Sequence, residues 1–104
     1  MEPSEQAWVY KILRAREWQA FRETGVFAGS ADDLRDGFIH LSARDQVEGT
    51  RAKYFAAEPD IVILRASATQ LGSELRWEPS RGGALFPHLY RPLRLDEVEV
   101  CASV

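Results

Sequence analysis

This chain is poor in the residues that staple or anchor small domains. It has one cysteine, Cys101, so an internal disulfide and a C-x-x-C redox pair are both excluded. Cys101 stands in "VEVCASV" beside Glu97 and Glu99, a poor setting for a thiolate nucleophile. An apolar filler at the end of a strand is the expected role. No apolar run approaches the roughly 18 residues of a membrane span. The opening "MEPSEQAW" carries neither a basic patch nor an apolar stretch, so no signal peptide is expected and a reduced, cytoplasmic setting is the default. A basic excess is missing as well. Thirteen Lys and Arg stand against sixteen Asp and Glu, a net charge of −3, which argues against nucleic acid as a partner. Repeats, low-complexity tracts and linkers are absent.

Histidine is also scarce, and the two present do not fall at H-x-x-x-H or H-E-x-x-H spacing. A metal site is therefore not expected. No nucleophile elbow occurs, and Asp36, His40 and Ser42 are too close along one segment to reach triad geometry. No Gly-rich phosphate fingerprint follows a strand.

What is there reads as one domain, residues 1–104. Its 104 residues, 45% hydrophobic, are enough to bury roughly two-thirds of the unfolded surface. "AWVYKIL" (Ala7–Leu13) has the aromatic and β-branched content of a strand, with Trp8, Tyr10 and Ile12 on one side and Val9, Lys11 and Leu13 on the other. "REWQAFRET" has helical spacing and a stop at Gly25. "SADDLRDG" reads as a polar turn. "FIHLS" alternates as a strand, and Ser42 with Asp45 predicts a capping box. The helix that it opens runs to Ala57, with Val47, Thr50 or Arg51, Tyr54 and Phe55 as its stripe. "DIVILRAS" predicts a buried strand and "ATQLGSEL" a short helix or turn. "ELRWE" predicts a strand with Leu75 and Trp77 opposite Arg76 and Glu78. "PSRGGALFP" reads as a loop. "DEVEVCAS" predicts a last strand with Val98 and Val100 inward. Strands outnumber helices and gather late. This favours an α+β domain, with mixed or antiparallel sheets and two main helices, over a doubly wound parallel sheet.

Both histidines lie in apolar, turn-marked segments, "DGFIHLS" and "FPHLYRP". Alternation sends Ile39 and Leu41 to the core and Phe38, His40 and Ser42 to the opposite face. A ring, an imidazole and a hydroxyl along one face suit a ligand with a planar ring and polar edges. Pro87 holds its predecessor extended, and His88 is expected to approach the same cleft. Glu78 ends a strand at its rim. Gly82 and Gly83 allow either a close backbone approach or a simple turn.

Taken together and in order, "VYKIL", "DGFIHLS", "LRWE" and "LFPHLYRPL" resemble domain of unknown function family 952, over nearly the whole chain. Arg91 stands where that family usually has glycine. The family's fold is similar to the ADP-ribosylation fold, so the resemblance implies NAD or an ADP-ribose-like nucleotide as cofactor or ligand, and ADP-ribosyl or 2′-phosphate transfer by fold analogy. On that analogy His40 holds a ribose, with Ser42 as the neighbouring hydroxyl. Tyr54 or Phe55 supplies the ring against nicotinamide, and Glu78 is the late acid. The implied catalytic residues are Glu78 and His40. The implied ligand-binding residues are Phe38, Ser42, Tyr54, Phe55 and His88. Arg76 replaces the first acid of the toxins' E-x-E or Q-x-E, against transfer to protein. The alternative is a non-catalytic module that binds a small metabolite or a protein in the same cleft. The two readings part at Glu78, which chemistry requires at the cleft.

Overall fold

The computed structural model describes residues 8–103. The first strand, β1 (Trp8–Arg14), runs into α1 (Ala15–Thr24), and a short β2 (Val26–Phe27) follows. The helix ends where Gly25 turns left-handed at φ 81° and donates its N–H to the Phe21 carbonyl, the ordinary glycine stop. Phe21 is the buried anchor of α1, edge-on to Trp18 at 5.8 Å.

The segment expected to be a turn is a helix, α2 (Ala31–Asp36). Ser30 accepts from the Asp33 N–H, the Asp33 carboxylate accepts from the Ser30 N–H, and Gly37 closes the helix at φ 88°. This is a capping box with a glycine stop, compressed into six residues. Its polarity hides it, because so short a helix buries little.

"FIHLS" is not one strand. Ile39–His40 (β3) and Ser42–Ala43 (β4) belong to different sheets, and the chain crosses between them at Leu41. The Leu41 N–H donates to the Pro87 carbonyl at 3.0 Å. Ser42 does not cap a helix. A 3₁₀ turn (Arg44–Gln46) intervenes, with the Gln46 side chain accepting from the Ala43 N–H. The helix proper, α3, is Val47–Tyr54, shorter at both ends than the expected 43–57.

Next come β5 (Ile61–Ser67), α4 (Ala68–Leu71), β6 (Leu75–Pro79), β7 (Leu85–Leu89), β8 (Leu93–Arg94) and β9 (Val98–Ser103). All pairings are antiparallel. One sheet has the order β4-β1-β5-β9, a second β3-β7-β6, and β2 pairs with β8. The class is α+β, as expected. β7 replaces the expected loop around Leu85. On β9, Val98 packs on the core but Val100, on the same face two residues further along the edge, is exposed; beyond it the register with β5 slips between Ile63 and Leu64.

The main core lies on one face of the larger sheet. Val9, Leu13, Val62, Leu64 and Ala66 meet Phe21, Ile39 and Leu89 there. The other face carries Ile12, Ile61 and Ile63 against Val47 of α3. β4 pairs with β1 only at Val9 and Tyr10. Past Tyr10, that side of β1 has no strand neighbour among the described residues, and a cleft opens there.

Candidate functional site

β3 and β7 place His40 and His88 directly opposite each other. Side chains opposite each other on an antiparallel pair share a face. The two rings are 5.7 Å apart and nearly perpendicular. Each imidazole has its own carboxylate. His40 Nδ1 lies 2.6 Å from Asp33 Oδ1, and His88 Nδ1 lies 2.7 Å from Glu78 Oε1. Such a contact fixes ring orientation and leaves Nε2 as the outer nitrogen. Nε2 of His40 is met by Asp36 Oδ2 at 3.0 Å. Nε2 of His88 has no hydrogen-bond partner among the described residues. Phe38 is the plate between the rings, stacked on His88 at 4.0 Å and tilted on His40 at 4.6 Å.

Asp33 organises the inner end of the site. It is buried, 2% exposed. It accepts from the backbone N–H groups of Ser30 and His40 and from Lys11 Nζ at 3.0 Å. Lys11 also donates to the His40 carbonyl. Burial by itself raises the Asp33 carboxyl. The Lys11 charge, the His40 hydrogen bond and the two backbone donors overcome that, and the net direction is downward. The hydrogen bond from His88, and then the one from the Tyr90 hydroxyl at 2.7 Å, hold Glu78 below the usual carboxylate range. The same hydrogen bond pushes the Tyr90 phenol up.

The cleft of about 390 Å³ is lined by His40, Ser42, Tyr54, Phe55 and His88, together with Lys11, Arg14, Arg35, Asp36, Thr50 and Phe86. Five of the seven expected residues thus share one cavity wall. Ser42 is buried and its hydroxyl lies 3.0 Å from that of Thr50. Tyr54 is half exposed, and Phe55 lies under the Arg14 guanidinium at 4.8 Å. The other two, Phe38 and Glu78, are outside the lining. Phe38 stands beside the imidazoles, and Glu78 stands behind His88. Sequence reasoning missed Asp33 and Lys11. Signals existed for both. Ser30-x-x-Asp33 is a capping-box spacing, and Lys11 is a charge on the otherwise apolar Val9–Leu13 face. Among the described residues no group of three or more His, Cys, Asp or Glu could hold a metal ion, and no helix is long and apolar enough to cross a membrane.

Residues 12–101 match the family described as protein of unknown function, DUF952. The crystal structure of protein CC0527 from Caulobacter crescentus superposes with a TM-score of 0.85 at 52% identity, covering 93% of this chain and 83% of that one. The solution NMR structure of CC0527 superposes at 0.79 with 51% identity, covering 94% and 83%. No curated protein matches the chain.

Proposed function

We propose that this chain, which belongs to the DUF952 family of proteins of unknown function, is a binding domain for a small molecule with a planar ring and a polar extension. An NAD- or ADP-ribose-like nucleotide has that build. The observation that carries the reading is the pair of imidazoles on opposed strand positions, each held through Nδ1 by its own carboxylate. Tyr54, Phe55 and Phe86 stand in the same cleft. Fixed imidazoles meet hydroxyl or phosphate groups at defined points without ordering cost on binding. Aromatic walls suit a planar ring. The volume of about 390 Å³ lies in the range of small-ligand sites.

Thermal unfolding with NAD, ADP-ribose and a phosphorylated RNA end tests this. A ligand at 100 times its Kd contributes about 2.7 kcal/mol, a rise on the order of 10 °C for a domain of this size. His40→Ala should abolish the rise. No rise with any of the three removes the nucleotide class.

A transfer reaction is the second reading. Its support is Glu78, which holds His88 as the carboxylate of a general-base pair would. Glu78 itself faces His88 and Tyr90 rather than the cleft, so in this reading it acts through His88. Glu78→Gln should then keep nucleotide affinity and lose turnover. Binding without turnover in the unaltered protein leaves the binding domain alone standing.

A further inference from the structure

We infer that the cleft takes a ligand bearing an anionic oxygen group, phosphate or carboxylate, which replaces the Asp36 side chain on His40 and Arg35. The inference rests on the binding reading above and adds the charge of the ligand. His40 is gripped from two sides, by Asp33 at Nδ1 (2.6 Å) and by Asp36 at Nε2 (3.0 Å). The two carboxylates are not equivalent. Asp33 has a side chain 1% exposed and is pinned by two backbone N–H groups, Lys11 and His40. Asp36 has a side chain 35% exposed. Its partners among the described residues are the side chains of Arg35, at 3.0 and 3.4 Å, and of His40.

Asp36 is also placed to move. It is the last residue of α2, directly before Gly37 at φ 88°. Its ion pairs are solvent-reached, a kind individually worth little. The outer nitrogen of His40 and the Nε–Nη2 edge of Arg35, whose Nη1 is held by Asp32 at 3.0 Å, therefore already form a pair that holds a carboxylate, filled by a side chain that can swing out. A planar guanidinium fork donates to the oxygens of either carboxylate or phosphate. Both Arg35 and His40 line the cleft, so a group entering with a ring-bearing ligand reaches them. Until it leaves, the Asp36 charge competes with the incoming anion and lowers its affinity.

The test uses two probe pairs that differ in the anionic group, AMP against adenosine and nicotinate against nicotinamide. Titration is followed by calorimetry and by the His40 imidazole resonances in the unaltered protein, Asp36→Asn and Arg35→Gln. The charged member of a pair should bind more tightly than its neutral partner. Asp36→Asn should tighten it further by roughly 1.5-fold to fivefold, the scale of an exposed charge pair, and should change the neutral member less. Arg35→Gln, far from the core, should weaken the charged member by a similar factor. A response in the AMP pair identifies phosphate, and one in the nicotinate pair identifies carboxylate. Equal binding of charged and neutral probes, or weaker charged binding in Asp36→Asn, overturns the inference while the ring-binding reading stands. No binding of any probe overturns both.

Discussion

Asp33 joins three parts of the chain, because it accepts from Ser30, from His40 and from Lys11 of β1. Removing one partner of a buried charge pair leaves the other uncompensated. Asp33→Ala is therefore expected to destabilise the fold by about 3–5 kcal/mol in urea unfolding. Asp33→Asn should cost less, since an amide oxygen still accepts. The Asp33 carboxyl is lowered in the folded state, so the folded chain binds fewer protons than the unfolded one near its titration. Its contribution is present above the unfolded value of about 3.9 and is lost as pH falls through the lowered folded value. Unfolding free energy measured below about pH 4 should drop steeply in the unaltered protein and more gently in Asp33→Asn. At this scale the histidines were legible, because alternation places His40 opposite Ile39 and Leu41. Their carboxylate partners were not. Asp33 and His40 are seven residues apart, and His88 and Glu78 ten, and neither spacing is a local motif.

Among the elements, β7 was the least legible. Proline has no N–H for a ladder and normally argues against an interior strand. Pro87 nevertheless lies in the middle strand of β3-β7-β6, and its carbonyl takes the Leu41 N–H. Short α2 was hidden for a different reason: its value lies in the Asp33 it presents rather than in buried apolar area. Two glycines test how tightly it is seated. A Cβ on Gly25 would meet nothing within 4 Å, so Gly25→Ala should cost only the left-handed backbone penalty, about 1 kcal/mol. Gly29 sits at φ +135°, and a Cβ there would come 2.8 Å from the Asp33 Cβ. Gly29→Ala should cost more, about 2–3 kcal/mol, and should also shift the His40 imidazole resonances, because Asp33 must move. Equal losses for the two variants in denaturant unfolding, with His40 unmoved, would show that α2 is not held through this contact.

At the scale of the whole molecule, Arg91 links elements remote in sequence. It donates to both Glu97 oxygens at 3.0 and 2.8 Å, to Glu74, and to the Leu71 carbonyl. It thereby ties the end of α4 to the turn before β9. No described non-glycine residue has a positive φ, so glycine is not required here for a left-handed turn. Arg91→Gly should lower stability by about 2 kcal/mol through the lost charge-assisted hydrogen bonds, a fall in Tm of roughly 8–16 °C. Arg91→Lys should recover part of it in the same thermal scan. By itself the sequence determined the α+β class, the buried β5, the Gly25 stop of α1, and the inward Ile39 and Leu41 against the outward His40. Those are local patterns of period and turn chemistry, written in consecutive residues. Only the tertiary structure decided that the chain changes sheets at Leu41, that His40 meets His88, and that Asp33, Asp36 and Glu78 hold them. These depend on strand register and on where β4 leaves β1 past Tyr10. Such contacts join segments that no local pattern connects.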